Sequence, residues 1–91
     1  MYRIVVHKQF VKDLKKVDLN HNSFQKLLYC ISLLSNGLSL PPEMRDHPLI
    51  GNFKGFREFH IAGDLLVIYR IDDLKKEVEL VRIGTHSQLF K

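Results

Sequence analysis

The sequence predicts an α+β fold of order β-α-α-β-β-β, a helix hairpin packed on a mainly antiparallel four-stranded sheet. Three observations carry this prediction. A short β-branched run opens the chain, two stretches with helical apolar spacing follow, and three strand-like runs separated by turn residues fill the second half. With 91 residues and 45% apolar side chains there is material for one core, so a single domain over 1–91 is expected.

Tyr2 to Val6 (YRIVV) reads as the first strand, and the pattern does not fix its pairing partner. From His7 to Leu19 the period changes: Phe10, Leu14 and Val17 share one helical face, and Lys8, Lys12, Lys15 and Lys16 spread over the other. This predicts a basic amphipathic helix. Asn22 is the expected N-cap of a second helix, with Gln25 completing a start that resembles a capping box. Phe24, Leu27, Leu28, Ile31 and Leu34 give that helix its apolar face, and Asn36 with Gly37 supplies the stop. Cys30, the sole cysteine, falls on the apolar face; it excludes an intrachain disulfide and is expected to be a buried, inert thiol.

Between Ser39 and Phe53, Pro41, Pro42, Pro48 and Gly51 disfavour regular structure and predict a loop laid over one sheet edge. Three strands then follow: Gly55 to Ile61, Asp64 to Ile71, and Glu77 to Gly84, with turns at Ala62–Gly63 and Asp72–Lys76. The middle run, LLVIYRI, is apolar on both faces and is the expected central strand. A formal charge of +4 favours polyanionic partners such as RNA, although a modestly basic soluble protein fits equally well. The first apolar run is too short for a signal peptide or a membrane span, and the lone cysteine suits a reducing compartment. A cytoplasmic location with no membrane partner is therefore expected.

In an antiparallel meander the end of one strand lies beside the start of the next. His60, Asp64, Arg82 and His86 are therefore expected at one rim of the sheet. Alternation puts Phe56, Glu58 and His60 on one face, and Arg57, Phe59 and Ile61 on the other. If the second set meets the helices, Arg57 must snorkel to an edge or find an acid. Arg70 and Arg82 alternate with Tyr69 and with Val81 and Ile83, so they too are expected on the outward face.

Such a set suits RNA cleavage without a metal. One imidazole removes a 2′-hydroxyl proton, another protonates the departing 5′-oxygen, and arginine binds the phosphate. Duller readings stand beside this one. His47 can hydrogen-bond within its proline turn, His60 can be a satisfied strand histidine, and His86 can cap a terminal helix. Asp64 can be a turn residue, and Glu58 can be ion-paired with Arg57 or Arg82. His7 and His21 are assigned no role. Three histidines and an aspartate are also conceivable metal ligands, but no HxxxH-type spacing or cysteine pair is present, so neither metal nor other cofactor is expected.

Four ordered motifs are more specific than any of these residues alone: DHPL at 46–49, GFREFH at 55–60 with Asp64 four residues later, LLVIY at 65–69, and VRIGTHSQLF at 81–90. Carrying them, the chain resembles the YafQ branch of the RelE-type toxins of bacterial type II toxin–antitoxin systems. The resemblance implies a RelE-like microbial RNase fold and an endoribonuclease (mRNA interferase). Its substrate would be mRNA, usually on the translating ribosome, and a cognate antitoxin would block it. On the family's pattern His47, His60, Asp64, His86 and Phe90 fall on positions implicated in activity. Glu58 and Arg82 match positions suspected in relatives, and Lys54 and Arg57 complete the candidate RNA- or phosphate-binding set. The resemblance makes His60, or Asp64 through it, the base and His86 the acid; His47 and Arg82 hold the phosphate and Phe90 orients a base. It leaves open an exchange of roles between His47 and His60. It also leaves open a ribosome-independent RNase and a non-catalytic module that binds RNA or a protein partner.

Overall fold

The computed structural model describes residues 1–90. Strand β1 (Arg3–Val6) is followed by helices α1 (Lys8–Leu14) and α2 (His21–Ser35), and then by strands β2 (His47–Pro48), β3 (Arg57–Ala62), β4 (Leu65–Asp72) and β5 (Glu77–Thr85). A one-turn helix, α3 (His86–Leu89), ends the order. The sheet order is β1-β5-β4-β3-β2, with β1 parallel to β5 and every other pairing antiparallel. The fold is thus the α+β arrangement anticipated, with a five-stranded mixed sheet in place of four mainly antiparallel strands. Direction alternates from β2 through β5, so β5 runs with β1 and pairs with it in parallel, and the two helices carry the chain from one edge strand, β1, to the other, β2. The proline-rich segment is more ordered than a loop: His47 and Pro48 pair with Glu58 and Arg57 as a short edge strand.

Both helices differ at one end from the sequence pattern. α1 stops at Leu14 and not at Leu19, and the carbonyls of Lys12 and Asp13 accept from Lys15, Lys16 and Val17 in a closing turn. The N-cap of α2 is Asn20, whose side chain accepts from the Ser23 amide at 2.8 Å, and Asn22 lies inside the helix. Either asparagine has the chemistry to cap. Packing decides between them, because this start aligns Ser23, Leu27, Cys30 and Leu34 as the buried row of α2. Cys30 is fully buried, and burial pushes its thiol up to about 11, as an inert structural cysteine requires.

The sheet is covered on both faces. Against the helices lie Phe59, Ile61, Val67, Tyr69, Val78, Leu80 and Ile83, packed on Phe10, Leu27, Cys30 and Leu34. On the other face Leu66, Ile68 and Leu89 form a smaller cluster with Leu49, Phe53, Phe56, Val81 and Phe90. β4 is accordingly the central buried strand. A bulge shifts the β4–β5 register, so that Ile68 pairs with Arg82 and Tyr69 with Leu80. The extra residue, Val81, turns to the face of Leu66 and Ile68, away from Ile83 with which simple alternation had grouped it.

Two ion pairs fix the arginines that the sequence left ambiguous. Arg57 stands on the helix side of β3 and donates to Asp46 at 3.3 and 3.4 Å, and the Tyr69 hydroxyl donates to the same carboxylate at 2.7 Å. The acid that Arg57 required is therefore in the loop before β2. Arg82 donates to the buried Asp13 of α1 at 2.7 and 3.1 Å. β1 pairs with β5 only as far as Leu80, and Asp13 also accepts from the Ile83 amide at 3.1 Å on the edge left unpaired. Burial works against the charge on Asp13, yet the hydrogen bonds from Arg82, Gln9 and Ile83 prevail and hold its carboxyl below the usual range.

Candidate active site

Register, more than sequence distance, assembles the site. His47 pairs with Glu58, Glu58 with Ile68, and Ile68 with Arg82, so these positions form one row across β2, β3, β4 and β5. The next row runs from His60 through Leu66 to Gly84, and α3 begins two residues beyond Gly84. Phe59 and Ile61 enter the helix-side core, which leaves Glu58 and His60 on the opposite face, as alternation requires.

At the centre is Glu58, a carboxylate 5% exposed. Its Oε2 contacts Nε2 of His47 at 3.1 Å and Nε2 of His60 at 3.3 Å, and the two rings are stacked with centroids 6.1 Å apart. Oε1 of Glu58 is buried with no hydrogen-bond partner among the described residues. Arg45, which carried no signal in the sequence, supplies the remaining contacts. Its carbonyl lies 2.7 Å from Nδ1 of His47, and its guanidinium lies 3.1 Å from Nδ1 of His60. Arg45 reaches both through a left-handed backbone turn (φ 50°), a conformation uncommon outside glycine and asparagine.

The Arg45 contacts distinguish the two histidines. Nδ1 of His47 faces a carbonyl, to which it donates, and Nδ1 of His60 faces a guanidinium, from which it accepts. The other nitrogen of each ring lies within ion-pair distance of Glu58.

α3 brings the tail to the same face. Thr85 caps it, accepting from the Gln88 amide at 3.3 Å, while the Gln88 side chain accepts from the Thr85 amide at 2.8 Å. Thr85 thus fills the capping role considered for His86, which is exposed as the first residue of the helix. The His86 ring lies 4.8 Å from that of Phe90, and Phe90 is half-buried 5.4 Å from Phe53. Space is tight beneath this turn: a Cβ on Gly84 would sit 2.9 Å from Oε1 of Gln88 and 3.1 Å from Cδ2 of Leu89, so a side chain there would press on the Gln88 amide that caps α3.

The other candidates are placed differently. Asp64 is exposed in the β3–β4 turn and has no side-chain hydrogen bond or ion pair among the described residues. The carboxylate that touches His60 is Glu58. Lys54 is exposed in the turn before β3. Arg57 faces away from the histidines and is bound to Asp46, and Arg82 lies in the row of Glu58 with its guanidinium turned to Asp13.

Comparison with known proteins supports the fold and identifies relatives. The family model described as "Bacterial toxin of type II toxin-antitoxin system, YafQ" matches residues 2–91. The mRNA interferase toxin YafQ of Escherichia coli K12 is 41% identical over 83 residues, covering 90% of this chain and 88% of that one. The crystal structure of a metal-bound toxin from Helicobacter pylori superposes with a TM-score of 0.87 at 40% identity, over 99% of this chain and 100% of that one. The toxin in the E. coli DinJ–YafQ complex superposes at 0.83 with 38% identity over the whole of both chains. No helix of the described residues is long and apolar enough to cross a membrane.

Proposed function

The chain belongs to the YafQ family of bacterial type II toxins, and from that premise we propose that it cleaves mRNA, on the translating ribosome, by metal-independent attack of a 2′-hydroxyl on the adjacent phosphate. A cognate antitoxin blocks it, by analogy with the DinJ–YafQ pair. The cytoplasm is where such a toxin meets its substrate. One observation carries the chemistry. Two imidazoles share one buried carboxylate, on the sheet face where a third, exposed imidazole is held on α3.

In this reading His60, set beside Glu58, removes the 2′-hydroxyl proton through Nδ1 as substrate displaces Arg45. Glu58 takes the orienting part that the family pattern had offered to Asp64. His47, held through Nδ1 by the Arg45 carbonyl, stands beside the phosphorane, and the freed Arg45 guanidinium places positive charge there. His86 delivers a proton to the 5′-oxygen, and Phe90, behind it, orients a base. A buried carboxylate between two histidines also stabilises the imidazolium that His60 becomes.

A defined transcript, incubated naked and in a translating extract, tests this reading. Cleavage is expected in the extract, with products ending in a 2′,3′-cyclic or 3′-phosphate. A 3′-hydroxyl end rejects attack by the 2′-hydroxyl, and equal cleavage of naked RNA removes the ribosome from the reading.

A second reading rests on a separate observation. His47, Glu58 and His60 present three donor atoms within 4.8 Å of one another, and the orphaned Oε1 of Glu58 lies beside them. Two imidazoles and a carboxylate are a donor set that fits a divalent transition ion. In the translating extract, cleavage is expected to survive a chelator selective for transition ions, which leaves magnesium and the ribosome in place; its loss on such chelation, with recovery on added zinc, replaces the metal-independent reading.

A further inference from the structure

Beside α3 the structure has a cavity of about 260 Å³ whose lining includes Asp13, Lys16, Arg82 and Gln88. The sequence placed Lys16 in the lysine row of the first helix, a solvated face that could also be an RNA or partner surface, with no ligand position assigned to it. The geometry points to this cavity as a notch for an RNA backbone phosphate, one that Lys16, Arg82 and Gln88 hold next to the turn carrying His86. The inference rests on the ribonuclease reading and extends its substrate contacts to a residue outside the histidine cluster.

The donors are free and the one acid is spent. Asp13 accepts from Gln9 and Arg82 on one oxygen, and from Arg82 and Ile83 on the other, so its carboxylate is saturated. Arg82 gives Nε and one terminal nitrogen to Asp13, which leaves the other terminal nitrogen without a partner among the described residues. The Oε1 of Gln88 takes the Thr85 amide, so its NH₂ remains available. Lys16 is exposed, with no ion pair among the described residues. Two cations against one neutralised carboxylate leave the notch positive. The Asp13 pair holds the Arg82 guanidinium in place before a ligand arrives, which lowers the ordering cost of binding. Gln88 and Leu89, which line the wall, follow His86 by two and three residues, which sets the notch beside the turn that carries the acid.

The test uses a 2′-O-methyl RNA oligonucleotide, which binds without being cleaved. Its affinity is measured between about 50 and 200 mM salt, a range over which phosphate contacts dominate. Lys16→Ala is expected to weaken binding about five- to tenfold and to lower the salt slope by about 0.7, the value of one single-strand phosphate contact. Lys16→Arg should restore both, and Lys12→Ala, on the exposed side of α1, should change neither. In cleavage assays Lys16→Ala should raise KM and leave kcat in place. Unchanged affinity and slope in Lys16→Ala, with normal salt-dependent binding by the wild-type protein, overturn the notch alone. Failure of the wild-type protein to bind the oligonucleotide overturns the notch, whereas the ribonuclease reading stands or falls with cleavage in the translating extract. Weaker antitoxin binding by Lys16→Ala with RNA binding intact overturns the notch in favour of a protein carboxylate.

Discussion

His86→Ala is expected to abolish RNA cleavage and growth inhibition while leaving the folded protein intact. A positioned general acid contributes about 10²–10⁴-fold to rate, which is enough to remove toxicity in a growing cell. The fold should tolerate the change because His86 is exposed and α3 is capped by Thr85 and Gln88, not by the imidazole. The ring contact that is lost is the one with Phe90, 4.8 Å away, and Phe90 retains Phe53 at 5.4 Å. The measurement is cleavage in a translating extract supplied with purified protein, with circular dichroism and thermal unfolding as the check on folding. Wild-type cleavage by a well-folded His86→Ala protein removes the acid role from His86.

Asp13→Ala is expected to have the largest effect on stability. It leaves Arg82 half-sequestered without a counter-ion and the Ile83 amide without an acceptor on the unpaired edge of β5. Breaking such a pair by removing one partner costs about 3–5 kcal/mol. Domains of this size are stable by about 5–15 kcal/mol in all, and each kcal/mol moves Tm by about 4–8 °C, so a fall of at least about 12 °C is expected. Because the folded carboxyl sits below its ordinary range, its contribution is complete above the unfolded pKa of about 3.9 and is lost as pH falls toward the folded value. Asp13→Asn should flatten that part of the acid-unfolding profile. Denaturant unfolding of wild type, Asp13→Ala and Asp13→Asn from pH 7 to 3 checks both. A drop of less than about 1 kcal/mol at pH 7 in Asp13→Ala refutes the account of this pair.

Much of the architecture was legible because it follows from local periodicity. The apolar run Leu65–Ile71 could only be a strand covered on both faces, and β4 is that strand. The alternation of Glu58 and His60 against Phe59 and Ile61 fixed which side chains enter the helix-side core. Helix ends were less legible, since Asn20 and Asn22 are chemically equivalent caps and only burial of the row from Ser23 to Leu34 separates them. The bulge at Val81 leaves no mark in composition, so the face of that residue was misread.

By itself the sequence determined the residue types, the spacing of the family's motifs and the sheet face that Glu58 shares with His60. Which charged groups become partners was decided only by the tertiary structure. Glu58, not Asp64, joins His47 to His60, because the two-residue strand β2 pairs in register with β3. Arg45 enters the site, because a left-handed turn carries it back to both rings. Arg57 and Arg82 are tied to Asp46 and Asp13, acids 11 and 69 residues away. Local pattern sets which face a side chain takes, whereas a charged group's partner depends on which distant segment folding brings within hydrogen-bond reach.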